Sequence, residues 1–506
     1  MDFREVLRPG ALIYFVGIKG TGMCALAELM RNDGISVSGS DGPAHFYTDA
    51  ILKELGIPYH EAFEASHISG REDLVVHSAA YSPDTNPELV AARQKGLPIL
   101  KYPDALGAYS AGFDASGIAG VHGKTTTTAM AGTLIRAAGL PARVLAGSGV
   151  SGFGGRSTLS LGDTYFVAET CEYRRHFLAF HPRRIVLTSV ESDHQDYYPT
   201  YASIRDAFLE YVRKLPPGGE LIYCADDPGA REVSDIVHSD VIRGETDSDR
   251  GTAASWSGGE GRLFVPYGFS AEGAFGIEAY RVAGERIVMG LRGFEGEFRL
   301  RVPGRHSAQN AAAALALTDS LVKKEFGGGQ KDKGWTEERL NRVREALEDF
   351  RGSKRRSEII GEAGGILFMD DYGHHPTAIK TTLAGLREFY RGRRLVVSFM
   401  SHTYSRTAAL IDDFAASLGA ADLVFLHKIY PSAREEYRGG VTGKTLFEKT
   451  RAHTRALYYE EPEDALEPLK KALVPGDLFI TLGAGDNWKL GKALFDWKAG
   501  APPGSG

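Results

Sequence analysis

Short apolar runs alternate with helix-length amphipathic segments along the chain, the pattern of an α/β architecture built on parallel sheets. ALIYFVG (11–17) predicts a buried strand, TGMCALAELMRND (21–33) a helix stopped by Gly34, and ISVSGSD (35–41) the next strand. DLVVHSAA (73–80) and LPILKY (97–102) extend that set. A second set begins near Ala111, with strands at YFVAET (165–170), RIVLTSV (184–190) and ELIYC (220–224). A third contains GILFMDDY (365–372), RLVVSFM (394–400), DLVFLHKI (422–429) and DLFITLGAG (477–485). The polar stretch 243–262 predicts a loop, the glycine- and lysine-rich 323–335 an exposed connection, and KAGAPPGSG a disordered tail. Boundaries near 110 and 348 divide the chain into domains of 1–110, 111–348 and 349–506.

Composition narrows the function. The 506 residues are 43% hydrophobic and 25% charged, with a net charge of −6 and no basic stripe, which points away from nucleic acid. Cys24, Cys171 and Cys224 are far apart and lack metal-ligand spacing, as suits a reducing compartment. No apolar run reaches the roughly 18 residues of a membrane span, and MDFREVLRPG lacks a signal-peptide core. The expectation is a cytoplasmic protein with no membrane partner, either a monomer or a homodimer.

Two glycine loops suggest phosphate chemistry. In SGIAGVHGKTTTTAMAG (116–132), Gly120 and Gly123 let backbone N–H groups turn toward an anion. Lys124 can reach the β- and γ-phosphates, and the Thr125 hydroxyl can ligate Mg²⁺. The helix that follows directs its positive end at the same place. Ile118 stands where the usual pattern has its first glycine, and the preceding segment is only weakly apolar. The alternative is a glycine-rich turn with an incidental lysine, but four consecutive threonines favour a phosphate loop. Earlier, Gly17, Gly20 and Gly22 lie between a strand and a helix, with Asp41 at the end of the next strand. That topology suits a diphosphate, although the order G-x-x-G-x-G is not the nicotinamide-dinucleotide fingerprint.

In open α/β sheets, ligands gather beyond the carboxyl ends of strands. Glu169, Glu191, Asp193 and His194 stand there in the second set, and Glu169 and His194 are candidate ligands for divalent cations. Asp371, His374, His402, Arg406 and Asp486 occupy such positions in the third. Arg355 and Arg356 follow the domain junction and could reach a triphosphate. His306 and Asn310, four apart, share a helix face.

With these pieces in order, the chain resembles the Mur ligases, the ATP-dependent amide-bond-forming enzymes of peptidoglycan synthesis. Their short phosphate loop, G-T-x-G-K-[ST], matches Gly120 to Thr125 with Val121 in place of the first threonine, so the earlier glycine is not required. The similarity runs from about residue 11 to 490. It implies an N-terminal Rossmann-like parallel sheet, a central P-loop ATPase domain and a C-terminal Rossmann-like domain. FVGIKGTGMCALAE, VSGSD, DDYGHHPT, HTYSRT and GAGD are most similar to the member that adds L-alanine to UDP-N-acetylmuramate. The member that adds a ready-made tripeptide to the same nucleotide sugar is the runner-up. A nicotinamide-dependent oxidoreductase and a non-catalytic sugar-nucleotide binder are more remote alternatives.

The resemblance also implies roles. Gly120, Gly123, Lys124, Thr125 and Thr126 would hold ATP, with Asn310 at the adenine, Arg355 or Arg356 at phosphate and Asp371 at the ribose. Thr125 and Glu169 would hold one Mg²⁺, and Glu169 and His194 a second, with Mn²⁺ as the alternative metal. Gly17, Gly20, Gly22, Asp41 and Ser78 would bind the UDP-sugar. His402 and Arg406 would line the L-alanine pocket with His374 and His375 close by. The catalytic set is then Lys124, Glu169, His194, Arg356, His402 and Arg406. Cys171, Tyr173 and Arg174 replace an acid, a serine and an acid of the family pattern, Ser307 replaces an asparagine, and Lys19 stands where a small residue is usual.

Overall fold

The structure is a computed structural model and describes residues 6–243, 263–328, 334–431 and 439–500. Two compact units emerge. The first comprises Met1–Glu191, Tyr201–Gly276 and Asn310–Ala346; the second comprises Ser192–Thr200, Ile277–Gln309 and Leu347–Gly506.

The first unit contains a five-stranded parallel sheet in the order Tyr59–His60, Ser36–Ser40, Leu12–Val16, Leu74–His77, Ile99–Lys101. Leu12–Val16 is central, and its residues Ile13 to Val16 are at most 3% exposed, which is why the segment reads as a continuous apolar run. The same unit holds a second sheet around Asp114–Ala119, which pairs in parallel with Arg184–Leu187 on one side and Tyr165–Glu169 on the other. Glu220–Cys224 and Ala142–Leu145 extend it in parallel, and Thr158–Ser160 closes one edge antiparallel. Asp114–Ala119 is weakly apolar because it is central and tightly covered: Ala115 to Ala119 are all buried, and small side chains make room for the neighbouring layers.

The second unit is built on a six-stranded sheet in the order Glu358–Ala363, Ile366–Asp371, Asp477–Leu482, Arg394–Phe399, Leu423–Leu426, Ala456–Tyr458. Only the first pairing is antiparallel. Its core includes Phe368, Val396, Phe425, Phe479, Leu469 and Leu494. Ile287–Leu291 pairs antiparallel with both Phe275–Val282 and Phe298–Leu300, an element that the expectation of parallel sheets did not include.

One predicted connection is partly helical. The helix Arg305–Phe326 continues through Lys323 and Lys324, where an exposed connection was expected. Lys323 pairs with Asp319 one turn earlier at 2.9 Å, and lysines in a last turn face the negative end of the helix dipole. The loop predicted at 243–262 begins on Arg243, the last residue of the helix Pro228–Arg243, and its remainder, 244–262, lies outside the described residues, as do 329–333 and 501–506. Lys498 and Ala499 end the last helix.

Candidate active site

The phosphate loop lies between Asp114–Ala119 and the helix Lys124–Ala138. Gly123 caps the helix at φ +80°, in the left-handed region, and a Cβ there would lie 2.8 Å from Asn310 Oδ1. No side chain caps this helix start and no acid stands in its first turn, so its leading N–H groups and dipole are available to an anion. Thr126 is half-buried in that first turn. Lys124 Nζ lies 2.9 Å from the buried Glu172 carboxylate and donates to the loop's own Gly120 carbonyl. Burial works against the lysine's charge, but the carboxylates of Glu172 and Glu169 outweigh it and hold the ammonium above its ordinary range.

The Thr125 hydroxyl donates to Glu169 Oε2 at 2.8 Å, bringing a hydroxyl and a carboxylate together where the strand Tyr165–Glu169 ends. A Cβ at position 147 would collide with both groups, so Gly147 keeps the space beside the pair open. Hard oxygen ligands beside an open cradle fit a magnesium ion. Asn310 is buried and accepts from Thr127 at 3.2 Å, so the structure brings it to the phosphate-loop helix. His122 pairs with Glu191 in the same unit. His194 belongs to the other unit, with φ +53°.

The other glycine loop leads into the helix Thr21–Asn32, whose N-cap is Gly20, with Gly22 in its first turn; no side chain caps it and no acid stands in that turn. Gly17 has φ +90°, and a Cβ there would lie 2.7 Å from the Tyr81 ring. The Gly17 and Ile18 amides donate to Ser40 O at 2.8 and 3.1 Å. Asp41 accepts from the Lys19 and Gly42 amides, both at 2.8 Å, and from the Tyr81 hydroxyl at 2.9 Å. Ser78 follows Leu74–His77, and its amide donates to Val16 O at 2.9 Å.

In the second unit, the strand ends at Asp371, Phe399, Leu426 and Leu482 share one edge of the sheet. Asp371 is a backbone anchor there: one oxygen accepts from the Ser357 amide at 2.6 Å and the other from the Gly373 amide at 2.7 Å. Arg355 Nε pairs with Asp370 at 2.9 Å, and its Nη2 donates to Gly483 O at 2.7 Å. The guanidinium of Arg356 lies 5.1 Å from the Tyr372 ring centre, as does that of Arg355. His375 is buried and occupies the N-cap position of the helix Pro376–Phe389. His374 and His402 meet edge to face, with ring centres 6.0 Å apart. Burial, joined by the Arg406 charge, pushes the His374 imidazole well below its usual range, so it is neutral at pH 7.

Arg406 and Asp193 form a buried ion pair with Nη2–Oδ1 at 2.6 Å. Burial raises the Asp193 pKa, but the guanidinium outweighs that and holds the carboxyl far below the ordinary range, with His194 adding to the effect. Thr403, between His402 and Arg406, has φ +67°, an uncommon geometry for a β-branched residue. Its hydroxyl caps the helix Tyr404–Ala409. A cavity of about 650 Å³ opens beside His402, lined by Lys428, Tyr430, Pro431, Glu461, Glu463 and Asp486. It offers both signs of charge, as a zwitterion requires.

Sequence reasoning missed two partners. Glu172, to which the resemblance assigns no role, is the counter-ion of Lys124; its position three residues after the strand-end acid Glu169 was the available signal. Asp193 was one acid among several, and nothing in the sequence joined it to Arg406, 213 positions away.

Comparison with known proteins gives the same family along the chain. Three family profiles match in succession: the Mur ligase family catalytic domain at residues 12–114, the Mur ligase middle domain at 118–318, and the Mur ligase glutamate ligase domain at 355–485. The chain is 51% identical over 492 residues to the UDP-N-acetylmuramate–L-alanine ligase of Treponema pallidum, covering 96% of this chain and 97% of that one. It is 36% identical over 482 residues to the enzyme of the same name from Borreliella burgdorferi, covering 94% and 97%. Among solved structures, the UDP-N-acetylmuramate–alanine ligase of Thermotoga maritima aligns with a TM-score of 0.71 at 25% identity, covering 96% and 98%. A murein peptide ligase from Psychrobacter arcticus shares the fold, with a TM-score of 0.63 at 22% identity.

Proposed function

The chain belongs to the Mur ligase family of ATP-dependent ligases, and on that premise we propose that it joins L-alanine to the lactyl carboxylate of UDP-N-acetylmuramate in peptidoglycan precursor synthesis. The observation that carries this reading is the Lys124, Thr125 and Glu169 cluster at an uncapped helix start, in a chain half identical to ligases of that name. Division at about 110 and 348 into UDP-sugar, ATP and amino-acid domains is part of the proposal.

A carboxylate resists amines because resonance and negative charge oppose attack. Transfer of the γ-phosphoryl group of ATP to the lactyl oxygen makes an acyl phosphate and ADP. The amine of L-alanine then adds to the acyl carbon, and the tetrahedral intermediate expels phosphate. Lys124 leaves Glu172 and Gly120 O to meet the phosphate oxygens, and the helix start receives the remaining charge. Thr125 and Glu169 would hold Mg²⁺, which would supply positive charge against the phosphates, and His194 would serve as a ligand of a second ion. Asn310, Arg355, Arg356 and Asp371 serve the nucleotide. Gly17, Gly20, Gly22, Asp41 and Ser78 serve the sugar diphosphate.

Attack requires a neutral amine. His374, held neutral by its surroundings, and His402, in edge-to-face contact with it, orient the amine or take its proton, with His375 nearby; the low basicity of His374 and that contact support this reading. Arg406, fixed by Asp193, presents a permanent cation to the amino-acid carboxylate. Among the described residues, no helix is long and apolar enough to cross a membrane. Phosphate release with ATP, Mg²⁺ and UDP-N-acetylmuramate should depend on L-alanine above other amino acids. Greater turnover with an L-Ala-γ-D-Glu-diaminopimelate tripeptide would make the protein a recycling ligase instead.

A further inference from the structure

Lys19 departs from the small residues usual in its loop, and its surroundings are built for it. The side chain is fully buried in the first unit. Its Nζ donates to Gly42 O at 3.1 Å and Ala44 O at 3.2 Å, and pairs with Glu61 at 3.0 Å and Asp49 at 3.3 Å. Its amide donates to Asp41, and its carbonyl accepts from the Thr48 hydroxyl at 2.5 Å. The Tyr59 ring lies 5.2 Å from Nζ, and its hydroxyl donates to Asp49 at 3.2 Å. Lys19 thus ties the glycine loop to the segment leaving the strand Ser36–Ser40 through both main chain and side chain. A cavity of about 590 Å³ adjoins this network, lined among others by His45, Asp49, Lys53, Tyr59 and Glu61.

The charges matter as much as the tether. Asp41, Asp49 and Glu61 gather beside a loop and helix start suited to a diphosphate, and three carboxylates there oppose an anionic ligand. Lys19 places one ammonium among them while being too enclosed to reach a ligand itself. We propose that Lys19 is a positioning residue for the nucleotide sugar, holding segment 42–44 against the glycine loop and cancelling carboxylate charge that would repel the diphosphate. The inference rests on the function proposed above.

The sign of two substitutions tests it. K19M keeps much of the side chain's bulk but removes the charge and the tether. Calorimetry should show its dissociation constant for UDP-N-acetylmuramate about tenfold weaker, with kcat at saturation and the KM for ATP within about twofold of the parent. E61Q alters a half-exposed side chain and leaves Lys19 in excess, so it should bind the same ligand about two- to threefold more tightly, with the gain shrinking in high salt. If the network were merely structural, both variants would weaken binding together, and that result overturns the inference. Parent-like K19M affinity also overturns it, and if K19M does not fold, the sign of the E61Q change decides. Parent turnover with ATP, the nucleotide sugar and L-alanine tests the underlying function separately, so an active parent whose variants do not shift binding rejects the role of Lys19 alone.

Discussion

At the scale of single residues, the site depends on charges held by partners that chemistry must use or leave in place. Lys124 rests on Glu172 and on its own loop carbonyl, a geometry that stores the ammonium at the loop proposed to bind phosphate. K124A removes that charge from the transferring phosphoryl group and should lower kcat by at least about 10²–10³-fold, with an unchanged circular dichroism spectrum. Turnover near the parent rate would remove the residue from the mechanism. The Asp193–Arg406 pair has a different use, since neither group faces bulk water. D193A leaves a buried guanidinium uncompensated and should cost about 3–5 kcal/mol in urea unfolding, together with a raised KM for L-alanine. Positive φ angles at His194, Arg355, Ser357 and Thr403 place backbone strain beside candidate site residues.

At the scale of elements, the proposed phosphate chemistry depends on how helices begin. Thr21–Asn32 and Lys124–Ala138 both start at glycine without a side-chain cap, so the N–H groups that a serine or aspartate would satisfy face the loop instead. G123A adds a Cβ near Asn310 in a left-handed backbone and should raise the KM for ATP at least about tenfold, consistent with about 1–3 kcal/mol of strain. Unchanged ATP affinity would show that the loop tolerates another shape. These loops were legible because glycine spacing between a strand and a helix encodes local geometry. The main strands were legible because burial on both faces leaves apolar runs, as at Ile13 to Val16. The antiparallel element around Ile287–Leu291 was not, because polar positions such as Arg281 and Arg299 interrupt its short strands.

At the scale of the molecule, the first unit holds two sheets and the second is built on a six-stranded one, and stability also draws on buried titratable groups to which the proposed chemistry gives no role. His427 is 1% exposed, with Ser398 Oγ at 2.9 Å from Nε2 and Tyr459 O at 3.1 Å from Nδ1, and burial pushes its pKa down from 6.5 to about 4. The unfolded chain takes up a proton below pH 6.5 that the folded chain resists. Its contribution is therefore intact above pH 6.5 and lost as pH falls toward 4, by roughly 3 kcal/mol. Urea midpoints should fall across that window, and H427N should flatten the slope; an unchanged slope would contradict it. Such long-range facts, like the joining of Asp193 to Arg406, were hidden because no local pattern encodes which strand ends meet. Family and order of motifs were legible; the partners of Lys124 and Arg406 were not. The central claim is that ATP activates the lactyl carboxylate itself. UDP-N-acetylmuramate labelled with ¹⁸O in that carboxylate, turned over with ATP and L-alanine, should release phosphate carrying one ¹⁸O per product amide, and unlabelled phosphate accompanying amide formation would contradict it.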